Sequence, residues 1–148
     1  MEYRGTLNLV VSDKLISIPV VITHKELDVD AEIIIKALYL EKEYLGKGKS
    51  LDWADAFADL QKTLPHNVKI QCCMTCKHGT LCPYGNLPNY ILCSQAVMIN
   101  SKDDVIDWLA EMTDVKEIEK SACGYCEKFE FSNENDYTYN DYFYYLKH

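Results

Sequence analysis

The sequence has no long hydrophobic run. Its most apolar stretches, such as AEIIIKALYL from Ala31 to Leu40, are interrupted by charged residues and fall well short of the roughly 20 apolar residues that a membrane-spanning helix needs. The N-terminus, MEYRGTLNLVV, opens with a charged pair instead of the basic and apolar regions of a secretory signal peptide. We therefore expect a cytoplasmic protein that does not enter a membrane.

Positive charge is scarce in this chain. It has 15 Lys and Arg residues against 23 Asp and Glu residues, which gives a formal net charge of −8. Proteins that bind nucleic acid usually present a basic face, so this balance disfavours nucleic acid as a partner. It favours a basic protein partner, which an acidic surface attracts over long distances.

Recognisable catalytic motifs are also missing. The sequence contains no nucleophile elbow, no phosphate-binding loop and no His-Glu-x-x-His pair. Its four histidines, His24, His66, His78 and His148, are scattered, although His78 follows the first cysteines closely enough to be an alternative ligand. We therefore expect no enzymatic activity.

Cysteine, in contrast, is abundant and clustered. The segment IQCCMTCKHGTLCPYGNLPNYILCSQ, residues 70–95, holds five of the chain's seven cysteines. Thiols stay reduced in the cytoplasm, so clustered cysteines there are metal ligands or catalysts more often than they are disulfides.

Two Cys-x-x-Cys pairs, Cys73–Cys76 and Cys123–Cys126, predict a zinc site. Such a turn places two thiolates at adjacent corners of a tetrahedron, so two turns make a closed four-sulfur structural site. Cys93, at the end of a predicted short strand, is a further candidate ligand. The alternatives are a redox pair, which normally leads into a helix and not a loop, and unmetallated core thiols, the interpretation that we favour for Cys72.

The hydrophobic pattern predicts an α+β fold, with an antiparallel sheet, two helices packed on it and the zinc site in the C-terminal half. TLNLVV and LISIPVVIT, joined by SDK, predict a β-hairpin. Ala31 to Leu45 is interpreted as one long strand, with a helix as the alternative. Leu51–Leu64 and Ser101–Met112 have the apolar spacing of helices that begin at a serine cap. We expect one domain, residues 1–148, made of a β-rich part (1–48), a zinc-binding part (49–131) and a tyrosine-rich tail (132–148).

Two surface features predict where a partner binds. Three carboxylates fall on the face of the first helix opposite its apolar stripe, for which the alternative is an ordinary solvated face. The tail is acidic and rich in tyrosine, which is enriched at binding sites; its alternative interpretation is an edge strand or a disordered end. The predicted partner-binding residues are Asp52, Asp55, Asp59, Tyr137, Tyr139 and Tyr142.

The motifs DWADAFADLQKTLPHNVKIQCCMTC, PYG, ILC and CEKFEF together resemble an uncharacterised family of small bacterial proteins, a domain of unknown function. That family combines a Cys-x-x-Cys, a Pro-Tyr-Gly loop, a lone Cys and a Cys-x-x-Phe, and the resemblance covers roughly Asp52 to Phe131. The tyrosine-rich tail departs from the family. The resemblance implies no established activity, but it implies a cluster in which Cys93 replaces Cys123, so that the ligands are Cys73, Cys76, Cys93 and Cys126.

These features together predict a non-enzymatic protein-binding module stabilised by structural Zn²⁺, such as an immunity or antitoxin-like protein that neutralises a basic toxin. The alternative is a zinc-ribbon-type regulator that contacts nucleic acid or the transcription machinery. Four thiolates and one Zn²⁺ would take the formal charge from −8 to about −10, which weighs further against nucleic acid.

Overall fold

The computed structural model describes residues 1–85 and 88–148, and within them the fold is mixed α+β, as predicted. Two antiparallel sheets and three α-helices make up this described part, and none of these helices is long and apolar enough to cross a bilayer. The strands are β1 (Glu2–Val11), β2 (Lys14–Glu26), β3 (Ala31–Tyr39), β4 (Lys42–Gly48), β5 (Val68–Ile70), β6 (Gly79–Thr80), β7 (Tyr90–Cys93) and β8 (Glu119–Ser121). The helices are α1 (Ala54–Thr63), α2 (Lys102–Glu111) and α3 (Asp141–Lys147).

The larger sheet has the strand order β4-β3-β2-β1-β5 and curls around the main core. Successive residues of a strand face opposite sides, so every second side chain points inward. These inward residues are aliphatic and buried: Leu7, Leu9, Ile18, Val20, Ile22, Ile33, Ile35 and Ala37. Strand β5 joins the sheet where Leu9 pairs with Ile70, so the chain enters its cysteine-rich segment from the edge of this sheet.

Two tight turns join the first four strands. The predicted β1–β2 hairpin is confirmed, with Ser12 and Asp13 at positive φ (50° and 65°) between the strands. The interpretation of Ala31–Leu45 as one strand is wrong, because the chain reverses at Leu40 and Glu41, which also have positive φ (50° and 64°). Neither residue type favours that conformation, so the sequence carries no turn signal at this point.

Helix α1 begins at Ala54, three residues later than predicted. Its N-cap is Trp53, which has a φ of 70° and whose indole donates a hydrogen bond to His24 Nδ1 at 2.7 Å. The predicted apolar stripe is confirmed, since all four of its residues are buried: Trp53, Phe57, Leu60 and Leu64.

Helix α1 lies along β4, the edge strand of the larger sheet. The Asp59 carboxylate accepts a hydrogen bond from the amide of Lys47 at 2.8 Å, and the Asp55 carboxylate accepts one from the amide of Lys49 at 2.7 Å. Asp52 is only 3% exposed. The expectation of an exposed carboxylate row on this helix is therefore wrong: two of its members cap a sheet edge and the third is buried.

The smaller sheet has the order β6-β7-β8, and α2 packs against it. Leu92 of β7 forms a small buried cluster with Val105 and Leu109 of α2. The predicted serine cap is confirmed, because Ser101 Oγ accepts a hydrogen bond from the amide of Asp104 at 3.3 Å.

The tyrosine-rich tail folds back on the body of the protein and ends in α3, a third helix that the sequence analysis did not predict. Lys62 Nζ of α1 donates to the carbonyl of Tyr145 at 2.7 Å. Asn140 Nδ2 donates to the carbonyl of Met74 at 2.8 Å, and Tyr142 belongs to the main core. The tail is therefore an element of the fold, so its alternative interpretation as an edge strand or a disordered end is wrong.

Candidate metal centre

Three separate segments bring four cysteines to one small cavity. Cys73 and Cys76 come from a short 3-10 turn, Cys93 from the end of β7, and Cys126 from the loop that follows β8. The cavity has a volume of ≈ 20 Å³, which is room for about one water-sized sphere. These are the four cysteines that the family resemblance implies.

The Cys73–Cys76 turn is held by backbone hydrogen bonds and by a glycine. The amide of Cys76 donates to the carbonyl of Cys73 at 3.3 Å, and the amide of Gly79 donates to the carbonyl of Cys76 at 2.9 Å. A Cβ on residue 79 would collide with the carbonyl oxygen of Cys73, so only glycine lets the chain approach this closely. Both thiols of the turn line the cavity as a result.

Backbone pairing also places the other two thiols. Gly79 pairs with Cys93 in the β6–β7 ladder. The amide of Lys77 donates to the carbonyl of Glu130 at 2.8 Å, which ties the segment after Cys126 to the first turn. The course of the backbone therefore brings all three segments to the same cavity.

Burial and repulsion favour the neutral form of the Cys73 thiol. The pKa of the Cys73 thiol is raised to about 12, first by burial and then by the negative charge of Cys72, Cys76, Cys126 and Cys93 when these ionise. Repulsion of this kind falls off with distance. A bound cation would reverse its effect and favour the thiolates.

Backbone amides point at the sulfur of Cys76. The amide nitrogen of His78 lies 3.4 Å from Cys76 Sγ. Burial raises the pKa of this thiol, and the hydrogen bonds from the amides of Glu130 and His78 lower it in part. Amide donors around a ligating sulfur stabilise its charged form and orient it.

Lys120 and Lys128 also line the cavity. They carry no signal in the sequence, because isolated lysines form no motif. A zinc ion with four thiolates carries a net charge of −2, which two ammonium groups would offset. His78 lines the cavity too, but its Nε2 lies 3.1 Å from Glu130 Oε2, so its ring already has a partner outside the thiol set.

No group of three or more His, Cys, Asp or Glu side chains within residues 1–85 and 88–148 is arranged to hold a metal ion as the side chains stand. The four thiols share a cavity, but they are not gathered around one point. The features that fit Zn²⁺ are the donor set, the size of the cavity and the amides at Cys76.

The remaining thiols lie elsewhere. Cys72 is fully buried in the main core, which confirms that part of the prediction. Cys123, the alternative ligand, also packs in that core; burial raises the pKa of its thiol, and a hydrogen bond with the Tyr3 hydroxyl lowers it in part. Cys82 packs against the small cluster under α2. The cavity is therefore lined by all four cysteines of the ligand set that contains Cys93, whereas Cys123 of the other set does not line it.

The six predicted partner-binding residues do not form one surface. Asp52 and Tyr142 are each only 3% exposed, and Asp55 and Asp59 are engaged with β4. Tyr139 is half-buried against the core, which leaves Tyr137, at 39% exposure, as the most accessible of the six.

No protein-family model, no curated protein and no solved structure matches this chain. The resemblance to the domain of unknown function therefore stays a prediction, and the function has to be inferred from the site itself.

Proposed function

We propose that the protein is a non-enzymatic protein-binding module whose C-terminal half is held together by a structural Zn²⁺ at Cys73, Cys76, Cys93 and Cys126. The observation that supports this most directly is the single cavity that the four thiols share. Four cysteine ligands leave no open coordination position, which is typical of structural and not of catalytic zinc.

The cysteine-rich part is built on short strands, although Cys72, Met74, Ile91 and Cys123 also join the main core. The strands of its sheet are two, four and three residues long, and its own cluster buries Leu92, Val105 and Leu109. Short strands of this kind need packing against a helix, here α2, to be stable in water. A structural zinc contributes on the order of 10 kcal/mol to folds of this kind, and here it would link all three segments.

A basic partner fits α2 better than it fits α1. Asp103, Asp107 and Glu111 are exposed and follow one another at four-residue spacing, which places them on one face of the helix. Among the described residues, none of the three carboxylates has an ion-pair partner within 4.0 Å. Their mutual repulsion costs helix stability, and a basic partner would relieve it. In an immunity or antitoxin-like role, this face of α2 would cover a basic toxin, and relief of the repulsion among its carboxylates would favour the complex.

Elemental analysis of untagged protein, purified without added metal, tests the zinc centre. We expect about one zinc ion per chain, lost in Cys76→Ser and retained in Cys82→Ser, which changes a thiol outside the cavity. Metal-free protein in which all seven thiols react freely in the native state would refute the proposal.

Binding measurements at low and high salt test the partner. A basic protein captured from the native host is purified and titrated against wild type and against Asp103→Asn/Asp107→Asn/Glu111→Gln. The matched control, Asp28→Asn/Asp30→Asn/Glu32→Gln, removes two exposed carboxylates from the β2–β3 turn and one from the start of β3. We expect weaker binding of the first triple variant and unchanged binding of the control. We also expect wild type to bind more weakly at high salt, because attraction between charges is screened beyond roughly 8 Å at physiological salt and over shorter distances at higher salt. Salt-sensitive binding to nucleic acid instead would favour the zinc-ribbon regulator.

A further inference from the structure

A second cavity, of ≈ 430 Å³, opens between the end of α1, strand β5 and helix α3. It shares no lining residue with the cysteine cavity. Its volume lies within the range of roughly 300–1,000 Å³ that is typical of ligand pockets. The folded tail forms one of its walls, so this cavity exists because α3 packs on α1.

Apolar side chains lie both inside the cavity and at its mouth. Leu64 and Ile70, 6% and 1% exposed, form part of its floor. Phe131 and Leu146 also line it, and they are 53% and 36% exposed. An apolar chain lying between these two side chains would remove their surface from water, which is favourable by about 25 cal/mol per Å².

In the described part of the chain, basic side chains line the cavity without acidic ones. They are Lys62, Lys69 and His66, and no carboxylate side chain of the described residues joins them. This is unexpected in a chain with 23 acidic and 15 basic residues. The C-terminal end of α1 contributes a partial negative charge of about half an elementary charge to the site. The positive charge of the two lysines is larger, so the cavity is positive on balance.

Two of the uncharged polar side chains of the lining, Gln61 and Thr75, are already in use. Gln61 donates to the carbonyl of Val68 at 2.8 Å and accepts from the amide of Ile70 at 2.8 Å. Thr75 Oγ1 donates to the carbonyl of Ile70 at 3.0 Å. Gln61 and Thr75 therefore offer little of the hydrogen-bonding pattern that selects a sugar or a nucleobase, and positive charge and apolar contact remain.

We propose that this cavity binds a carboxylate carried on an unbranched apolar chain, that is, a medium-chain fatty acid. The chain lies between Phe131 and Leu146, and the carboxylate faces Lys69 and also Lys62, whose ammonium keeps its hydrogen bond to the Tyr145 carbonyl and has two further donors. The site does not depend on the proposed metal centre, because the two cavities have separate linings.

Titration of ¹⁵N-labelled protein with sodium decanoate, followed by amide chemical shifts, tests the site. We expect saturable shifts at Leu64, Ile70 and Phe131. Acetate, which has the charge without the chain, and 1-decanol, which has the chain without the charge, should bind more weakly than decanoate. Equal binding of decanoate and 1-decanol, shifts spread over the whole protein, or no binding would each overturn the proposal.

Two charge reversals provide the matched comparison. Lys69→Glu changes an exposed lysine of the cavity, and Lys36→Glu changes an exposed lysine of β3 that does not line it. We expect Lys69→Glu to weaken decanoate binding about tenfold, equivalent to ~1.4 kcal/mol, and Lys36→Glu to leave it nearly unchanged. Unaltered amide spectra away from each substitution show that both variants are folded. Equal effects of the two reversals would show that net charge, and not this cavity, governs binding.

Discussion

Asp59 and Lys47 meet across the edge of the larger sheet, where the Asp59 carboxylate accepts a hydrogen bond from the Lys47 amide at 2.8 Å. Asp55 does the same for the amide of Lys49 at 2.7 Å. Asp55 and Asp59 are four residues apart on the helix, a rise of about 6.0 Å, and Lys47 and Lys49 are two residues apart along the strand, a rise of about 6.7 Å. Because the two lengths are similar, each carboxylate lies opposite one of the two amides. Helix α1 thereby closes an edge that would otherwise offer free amides to another strand.

Replacing Asp59 should therefore destabilise the fold. In Asp59→Ala the Lys47 amide loses its acceptor, and we expect the free energy of unfolding to fall by about 1 kcal/mol, since the bond has a charged acceptor but is exposed to solvent. Urea unfolding measures the change. Asp107→Ala is the control, because Asp107 is an exposed helical aspartate that caps no strand. Similar losses in the two variants would contradict the edge-capping role.

Comparing Cys93→Ser with Cys123→Ser separates the two candidate ligand sets. Cys93 lines the shared cavity and Cys123 packs in the main core, so we expect Cys93→Ser to lose zinc and Cys123→Ser to retain it. Cys123→Ser should still lower stability by about 1–3 kcal/mol, because it buries a hydroxyl in place of a thiol. Elemental analysis and thermal unfolding measure the two effects. Zinc lost from Cys123→Ser but kept by Cys93→Ser would show that the two Cys-x-x-Cys pairs form the site.

The elements that the sequence predicts correctly depend on local signals. The β1–β2 hairpin follows from alternation and a polar turn at Ser12–Asp13, and α2 follows from the Ser101 cap and the spacing of Val105 and Leu109. In each case the residues that determine the element lie within it. The same holds for the Cys73–Cys76 turn, which the motif alone identifies.

The errors concern relationships between distant segments. Nothing in Leu40–Glu41 favours positive φ, and the turn there depends on the pairing of β3 with β4. The spacing of Asp55 and Asp59 shows that they share a helix face, but it does not show that β4 runs beside that face. The tail is classified by its composition as a surface segment, whereas its burial depends on Asn140 reaching the cysteine-rich turn.

Removing Asn140 should release the tail. Its Nδ2 donates to the carbonyl of Met74 at 2.8 Å, and its Oδ1 accepts from the amide of Tyr142 at 3.0 Å, so one side chain both anchors the tail and caps α3. We expect Asn140→Ala to lower the free energy of unfolding by about 1–3 kcal/mol and to expose the segment after Ser132 to protease. Limited proteolysis with mass spectrometry detects the cut. Asn135→Ala, at an exposed position of the same tail, should behave as wild type; a tail that stays protected in Asn140→Ala would contradict the anchor.

His24 and Trp53 form the second buried polar contact on which the fold depends. Because Trp53 Nε1 donates to His24 Nδ1 at 2.7 Å, the neutral ring must carry its proton on Nε2. That atom is buried and has no hydrogen-bond partner among the described residues. Protonation of His24 Nδ1 would place its N–H against the indole N–H of Trp53, so the hydrogen bond would be lost. Trp53 is the N-cap of α1 and has a positive φ.

Stability should therefore fall in mild acid. Burial lowers the pKa of His24, Glu26 raises it in part, and the N-terminal amine lowers it, so the folded state favours the neutral ring. The stability that comes from the neutral ring of His24 is fully present above the pKa of histidine in the unfolded chain, about 6.5. It is lost as the pH falls from that value through the lower pKa of His24 in the folded protein. Urea unfolding from about pH 8 to about pH 5 measures it against His24→Gln, whose amide oxygen accepts from Trp53 without titrating. We expect a flatter profile for His24→Gln than for wild type, and an unchanged profile for the exposed control His66→Gln; equal slopes in wild type and His24→Gln would show that this contact does not set the acid sensitivity.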